Sequence, residues 1–459
     1  MNNKDLDKRT IPFSKLALYG LGGMFPNGWI LFINGYYMMI FFTDILQLPT
    51  VLAASIYSAI QWWKLVAMLL SGVIVDGIQL KSGKYRGWVR IALIAEAILF
   101  PIAYADFGLK PTAAAVVVII AQALLMLGYN LSWTGIRTLP AAMAKSSYDI
   151  TLLTASSAVG GSLANIIWGF ASVAMLSVPL WKGTSNQYCG VASICSLIMV
   201  AGAFIMFKLA EPYDGQVKEK EKKEKITGKK LLENLKGPMI PYFISATLSA
   251  AQAGFFSTLL SYYSTYVLKN PAVTATVLAM QSGISLVGNF ISPSIARHFR
   301  KKSIHIFSQF FNAACYVILG FFGTSAAVFI GLRAIMSLMG TLHGVVGYSF
   351  PIDIGDYNEM HGIDASRAIL VSLGGSTTRL GNALSTTVAS FGLAAIGYVK
   401  GMEFDDAMCR KLIGLMAIGP GAVALLSGIA MFFYKVDERE INEYRAKKAA
   451  AAEEAKQNQ

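Results

Sequence analysis

The stretch AAAVVVIIAQALLMLGYNLSWTGIRTL, residues 113–139, decides the fold. It exceeds the about 20 apolar residues that carry a helix across a bilayer, and its only charged residue is Arg137. Hydrocarbon cannot satisfy a free backbone N–H or C=O, so such a segment crosses as a helix that pairs them internally. Similar stretches cover residues 18–42, 51–75, 89–107, 152–176, 191–209, 241–267, 273–295, 304–322, 326–350, 369–399 and 412–433.

Of the 459 residues, 55% are hydrophobic and only 14% charged, which excludes a string of soluble domains. The predicted fold class is an all-α polytopic membrane protein with twelve transmembrane helices. It divides into a cytoplasmic N-terminus (1–15), a six-helix bundle (16–209), a charged cytoplasmic linker (210–237), a second six-helix bundle (238–434) and a cytoplasmic tail (435–459). Met1 to Lys15 is polar and lacks the pattern of a cleaved signal peptide.

A net charge of +13 would suit a nucleic-acid binder, but its distribution follows the spans instead. With the N-terminus inside, the inward segments and adjoining span ends hold 29 Lys and Arg and the outward segments 6. By the positive-inside rule both termini lie in the cytoplasm of a multi-pass inner-membrane protein, and no nucleic-acid partner is expected. Cys189, Cys195, Cys315 and Cys409 show no metal or redox spacing, so neither a metal nor a cofactor is expected. The four histidines are scattered and no nucleophile elbow occurs, so the chain does not read as an enzyme.

Ionisable groups deep in a span are functional candidates because lipid penalises them. Lys64 follows Gln61, Trp62 and Trp63 in mid-span, where it either binds solute or pairs with Glu96 of the third span. Tyr129, Trp133 and Arg137 recur every four residues, so an aromatic surface, a stacking ring and a cation share one face. Arg137 alternatively snorkels to headgroups. Ser372, Ser376, Arg379 and Asn382 likewise share a face of the eleventh span, and Asn27 in the first is a further hydrogen-bonding candidate. Arg333 lies about two turns inside its span and reads as snorkelling. Glu96 is the one acid well inside a span, so the cavity should attract anions, and it is the candidate for proton coupling.

Further marks are Tyr19-Gly20-Leu21-Gly22 leading to Asn27, Phe42-Thr43-Asp44, and Ser82-Gly83-Lys84-Tyr85-Arg86-Gly87-Trp88. To these add Asp353-Ile354-Gly355-Asp356-Tyr357-Asn358-Glu359 and Gly397-Tyr398. On these the chain resembles the glycoside/pentoside/hexuronide:cation symporters, relatives of melibiose permease in the major facilitator superfamily. The resemblance covers nearly all spans and implies two six-helix bundles that expose a central site alternately to either side. Asp76, Lys84, Arg86, Asp353 and Asp356 can form a cytoplasmic ion-pair gate, which needs a network because exposed pairs are weak.

Arg379 falls at the family's eleventh-helix Lys, and Asn27 where the family often has Asn or Asp for sugar contact. Lys64 and Met68, however, occupy the second-helix positions at which cation-coupled relatives carry acids, and Trp133 stands where some have Asp. Sodium needs oxygen ligands, so sodium coupling by the family mechanism is not expected. The expected function is secondary transport of a sugar-like anionic solute, a hexuronide or other glycoside acid. Lys64 and Arg379 would bind the carboxylate, and Tyr129 and Trp133 the ring. Expected partners are that solute and membrane lipids, in a monomeric carrier that either couples to a proton through Glu96 or, with Lys64 as a fixed charge in place of the coupling cation, works by uniport or exchange. The alternatives are a sodium- or proton-coupled neutral glycoside symporter, a lysophospholipid or amphiphile carrier, and a membrane sensor.

Overall fold

The computed structural model describes residues 11–447 other than 25, 27, 28, 31–34, 79, 81, 144–146, 214–234, 348, 364–366, 400, 401, 403, 442, 445 and 446. Each of the twelve apolar stretches overlaps helix in its described residues, and no strand occurs among the described residues. The first comprises α1 (Phe13–Tyr19), a π-helical turn Gly20–Met24, a short helical piece Met38–Ile40 and a second π-helical turn Phe41–Ile45. Then follow α2 (Thr50–Gly77), α3 (Lys84–Ala103), α4 (Pro111–Met143), α5 (Ser147–Leu176) and α6 (Gln187–Ala210). Beyond the linker come α7 (Met239–Tyr262), which runs into a π-helical turn Tyr263–Val267, then α8 (Ala272–His298), α9 (Lys301–Phe322) and α10 (Ala326–Gly347). A short α11 (Phe350–Met360), α12 (Arg367–Ala395) and α13 (Asp406–Phe432) complete the chain.

Eight helices among the described residues are long and apolar enough to cross a membrane. The expected third and eleventh spans fall outside that set for a chemical reason. Helix α3 carries Arg86, Arg90 and Glu96, and α12 carries Arg379 among many Gly, Ser and Thr. Two boundaries differ from expectation. Helix α3 starts five residues before Val89, because Lys84 to Trp88 form its first turns and the Trp88 indole donates to Ile78 O at 3.1 Å. The expected tenth span stops at Gly347, and α11 begins separately with Pro351 in its first turn, where a missing N–H is harmless.

The chain forms two compact units. Unit 1 comprises Met1–Glu221, Ser257–Leu286 and Thr386–Leu412. Within it α3 packs on α4 and α6 around Val89, Leu93, Ile136 and Met206, and the Trp63 indole ties α2 to Ala123 O of α4 at 2.8 Å. The first π-helical turn crosses α5 so closely that a Cβ on Gly160 would lie 2.3 Å from Gly20 O, so glycine lets the two backbones meet.

Unit 2 comprises Lys222–Phe256, Val287–Ser385 and Ile413–Gln459. Its core gathers Met239, Tyr242, Phe350, Ile354, Leu370 and Tyr434. Helix α12 meets α7 backbone to backbone, since a Cβ on Gly381 would lie 2.2 Å from Thr247 O. That contact fixes the rotation of α12 and therefore the direction of its polar face.

Candidate functional site

In unit 1, Lys64 is half-buried and donates to Gln61 Oε1 at 2.8 Å, one turn back on α2. Gln61, Tyr57 and Thr258 beside it are buried, and the Tyr57 hydroxyl interacts with both of the other two side chains. Fully buried Glu96 sits in α3 against Gly128, and neither carboxylate oxygen has a hydrogen-bond partner of normal geometry among the described residues. The Ser132 hydroxyl is near it but donates to Tyr129 O at 3.0 Å. The alternative that Lys64 pairs with Glu96 is therefore not realised.

The spacing of four on α4 produces a ladder. The rings of Tyr129 and Trp133 have centroids 5.7 Å apart, and the Arg137 guanidinium lies 4.6 Å from the Trp133 centroid. Arg137 is exposed and stacked, while Tyr129 is buried. At an exposed position such a cation–π contact is worth about 0.5–1 kcal/mol, enough to favour the stacked orientation of the guanidinium.

In unit 2, α12 places half-buried Ser376, Arg379 and Asn382 along one side. The Ser376 hydroxyl is spent on Leu373 O at 2.8 Å, which weakens its candidacy for binding solute. Asn27 lies outside the described residues, as do the side chains of Asp76 and Lys84.

Two of the remaining gate candidates also have partners outside the expected set. Arg86 pairs in unit 1 with Glu211 at 3.1 Å and stacks with Arg90 on the Phe207 ring. In unit 2, Asp353 pairs with Lys301 at 2.6 Å, and Asp356 is buried. Arg333 corrects the snorkelling expectation, since it is buried with its guanidinium 3.6 Å from the Phe256 ring centre. The aromatic ring holds it inward.

Sequence reasoning missed a cluster on Asp44 in unit 1. Asp44 Oδ1 accepts from Thr43 at 2.6 Å and from the Tyr398 hydroxyl at 2.7 Å, while Oδ2 accepts from the Tyr266 hydroxyl at 2.7 Å. Tyr262 bonds Thr43 at 2.8 Å, Thr50 donates to Tyr398 O, and Phe404 stacks on Tyr266 at 4.3 Å. The only signal had been that Phe42-Thr43-Asp44 and Gly397-Tyr398 are marks of the family resemblance.

Residues 18–438 match the family described as MFS/sugar transport protein, and the chain belongs to that family. An uncharacterized symporter of Bacillus subtilis (strain 168) is 23% identical over 445 residues, 95% of each chain. A proposed sulfoquinovose importer of Escherichia coli (strain K12) is 25% identical over 459 aligned residues, again 95% of each. A proposed 2,3-dihydroxypropane-1-sulfonate exporter of the same organism is 23% identical, covering 96% of this chain and 97% of its own. The crystal structure of a nucleoside transporter superposes with a TM-score of 0.64 at 13% identity, over 93% of this chain and all of that one. A D-xylose-proton symporter gives 0.60 at 13% identity, over 92% and 96%. The chain is thus a multi-pass membrane transporter of the major facilitator type.

Proposed function

We propose that this protein is a secondary transporter of a hydroxylated organic anion, a sugar acid bearing a carboxylate or sulfonate, working by alternating access. The observation that carries the reading is Lys64, an ammonium held in mid-helix by a neutral amide, in the same unit as the Tyr129, Trp133 and Arg137 ladder. A mid-helix ammonium and, on another helix of the same unit, an aromatic pair topped by a guanidinium suit a solute with an acid group and an apolar ring face. Two relatives are named for sulfonates that also carry hydroxyls, which supports an anion and widens the acid group beyond a carboxylate. Within unit 2, Arg379 is a separate candidate for gripping an acid group, and Asn382 for a hydroxyl.

On the proposed orientation with both termini cytoplasmic, Asp44 lies at the outer end of the first span, where its clasp on Tyr266 and Tyr398 would hold the outer side closed. Glu96 is the proposed proton carrier, because it is fully buried and no cation among the described residues pairs with it to hold it as an ion. In proteoliposomes, Lys64→Ala and Arg379→Ala should each lower uptake of glucuronate or a sugar sulfonate at least tenfold while leaving protein levels intact. Arg379→Lys should recover part of it, as a point charge replaces a fork. Uptake of a neutral glycoside that both alanine variants leave unchanged would refute the proposal.

A further inference from the structure

Arg333 of α10 is a buried cation that the proposed site does not use. Its exposure is 8%, its Nη1 reaches the Tyr316 hydroxyl at 3.4 Å, and the Phe256 ring covers its guanidinium. Its Nε is buried and donates to nothing, and no carboxylate lies within ion-pair distance among the described residues.

The surroundings show what is missing. Helices α7 and α9 run side by side in a fixed register, linked inside unit 2 by polar layers. Ser245 meets His305 at 2.9 Å, Gln309 donates to Ser249 at 2.9 Å, and Asn312 reaches Gln252 at 3.5 Å. The same register brings Phe256 and Tyr316 to the next layer, where α10 inserts Arg333. In the lower layers a donor meets an acceptor. At the top layer the guanidinium offers donors and the Tyr316 hydroxyl accepts from one of them, while among the described residues Asn312 Oδ1, one turn below, is buried without a donor.

A carboxylate or sulfonate oxygen would complete Arg333, and an adjacent hydroxyl would donate to Asn312. A purely structural residue here needs no charge, because apolar side chains of similar volume usually replace buried ions without loss.

We infer that Arg333 and Tyr316 form an acid-group site in unit 2 that takes an oxygen of the solute's carboxylate or sulfonate, with Phe256 as the ring that must move aside to admit it. This rests on the reading of the solute as an anion.

The test is thermal unfolding of the purified carrier with glucuronate, with 2,3-dihydroxypropane-1-sulfonate and with glucose, on wild type, Lys64→Ala, Arg333→Met and Arg333→Lys. Wild type should gain stability from at least one anion and not from glucose. Arg333→Met should unfold at or above the wild-type temperature without solute, since an uncompensated charge is gone, yet lose the anion-induced shift. An anion shift of wild-type size in Arg333→Met would overturn the site, and loss of that shift in Lys64→Ala alone would leave the anion reading standing. No shift in wild type with either anion would remove both. Should Arg333→Met not fold, Arg333→Lys decides through transport. A half-saturation raised at least fivefold at preserved maximal rate supports the site, and an unchanged one overturns it.

Discussion

Lys64 is oriented by a residue that carries no charge itself. Gln61 Oε1 accepts the ammonium, which leaves its amide N–H for the Tyr57 hydroxyl, and Tyr57 in turn interacts with Thr258. A flexible four-carbon side chain held this way has fewer rotamers to lose when an anion arrives, so part of the ordering entropy is already spent. Gln61→Leu removes one charge-assisted hydrogen bond, worth about 1.5 kcal/mol, and should raise KM for an anionic solute by roughly tenfold with little change in maximal rate. In the double variant with Lys64→Ala the loss should not exceed that of Lys64→Ala alone, because both changes break one interaction. Additive losses would show that Gln61 acts elsewhere. The candidates Lys64, Tyr129, Trp133 and Arg137 were legible from sequence because each relation lies within one or two turns of a single helix. Arg333 was misread because distance to a helix end says nothing of the aromatic ring that faces it from α7.

The π-helical turns Phe41–Ile45 and Tyr263–Val267 explain how elements remote in sequence converge on one carboxylate. A π turn inserts an extra residue and re-aims the side chains that follow, which is why such turns recur at functional positions. Asp44 lies in the first and Tyr266 in the second, and Tyr398 follows the end of α12. The pairing of Asp44 with Tyr398 spans 354 residues, so no local periodicity could reveal it. Asp44→Asn replaces a charged acceptor of two tyrosine protons by one neutral carbonyl and one amide donor, so both tyrosine bonds lose their charge assistance. The outer closure should weaken by about 1.4 kcal/mol, a tenfold shift in its equilibrium. Ser58, two turns further along α2, is buried and bonds Thr387 at 2.7 Å. On a background without native cysteines, Ser58→Cys should react with a membrane-impermeant maleimide from outside about tenfold faster when Asp44 is Asn. Equal rates would show that Asp44 does not hold the closure.

At the scale of the whole molecule, span count and fold family were legible because lipid imposes one rule on every segment. The energy source was not, since it depends on which buried groups exchange protons or ions. By the family resemblance, Lys64 and Met68 fall where coupling acids are expected. Among the described residues no three His, Cys, Asp or Glu side chains gather into a cation site. Glu96 is buried in α3 with no paired cation among the described residues, and a carboxylate there cycles at low energetic penalty only if it takes up a proton before the site closes. A monoanion carried with one proton crosses without net charge. Uptake should therefore follow the pH gradient and ignore the membrane potential. In proteoliposomes one unit of pH, alkaline inside, should drive about tenfold accumulation of a monoanionic sugar acid, since one unit corresponds to about 1.4 kcal/mol per proton. A potassium diffusion potential should change this little. Glu96→Gln should keep exchange of labelled for unlabelled solute while losing pH-driven accumulation, which separates coupling from binding. Accumulation driven by a sodium gradient at equal pH, or undiminished pH-driven accumulation in Glu96→Gln, would place the coupling site elsewhere.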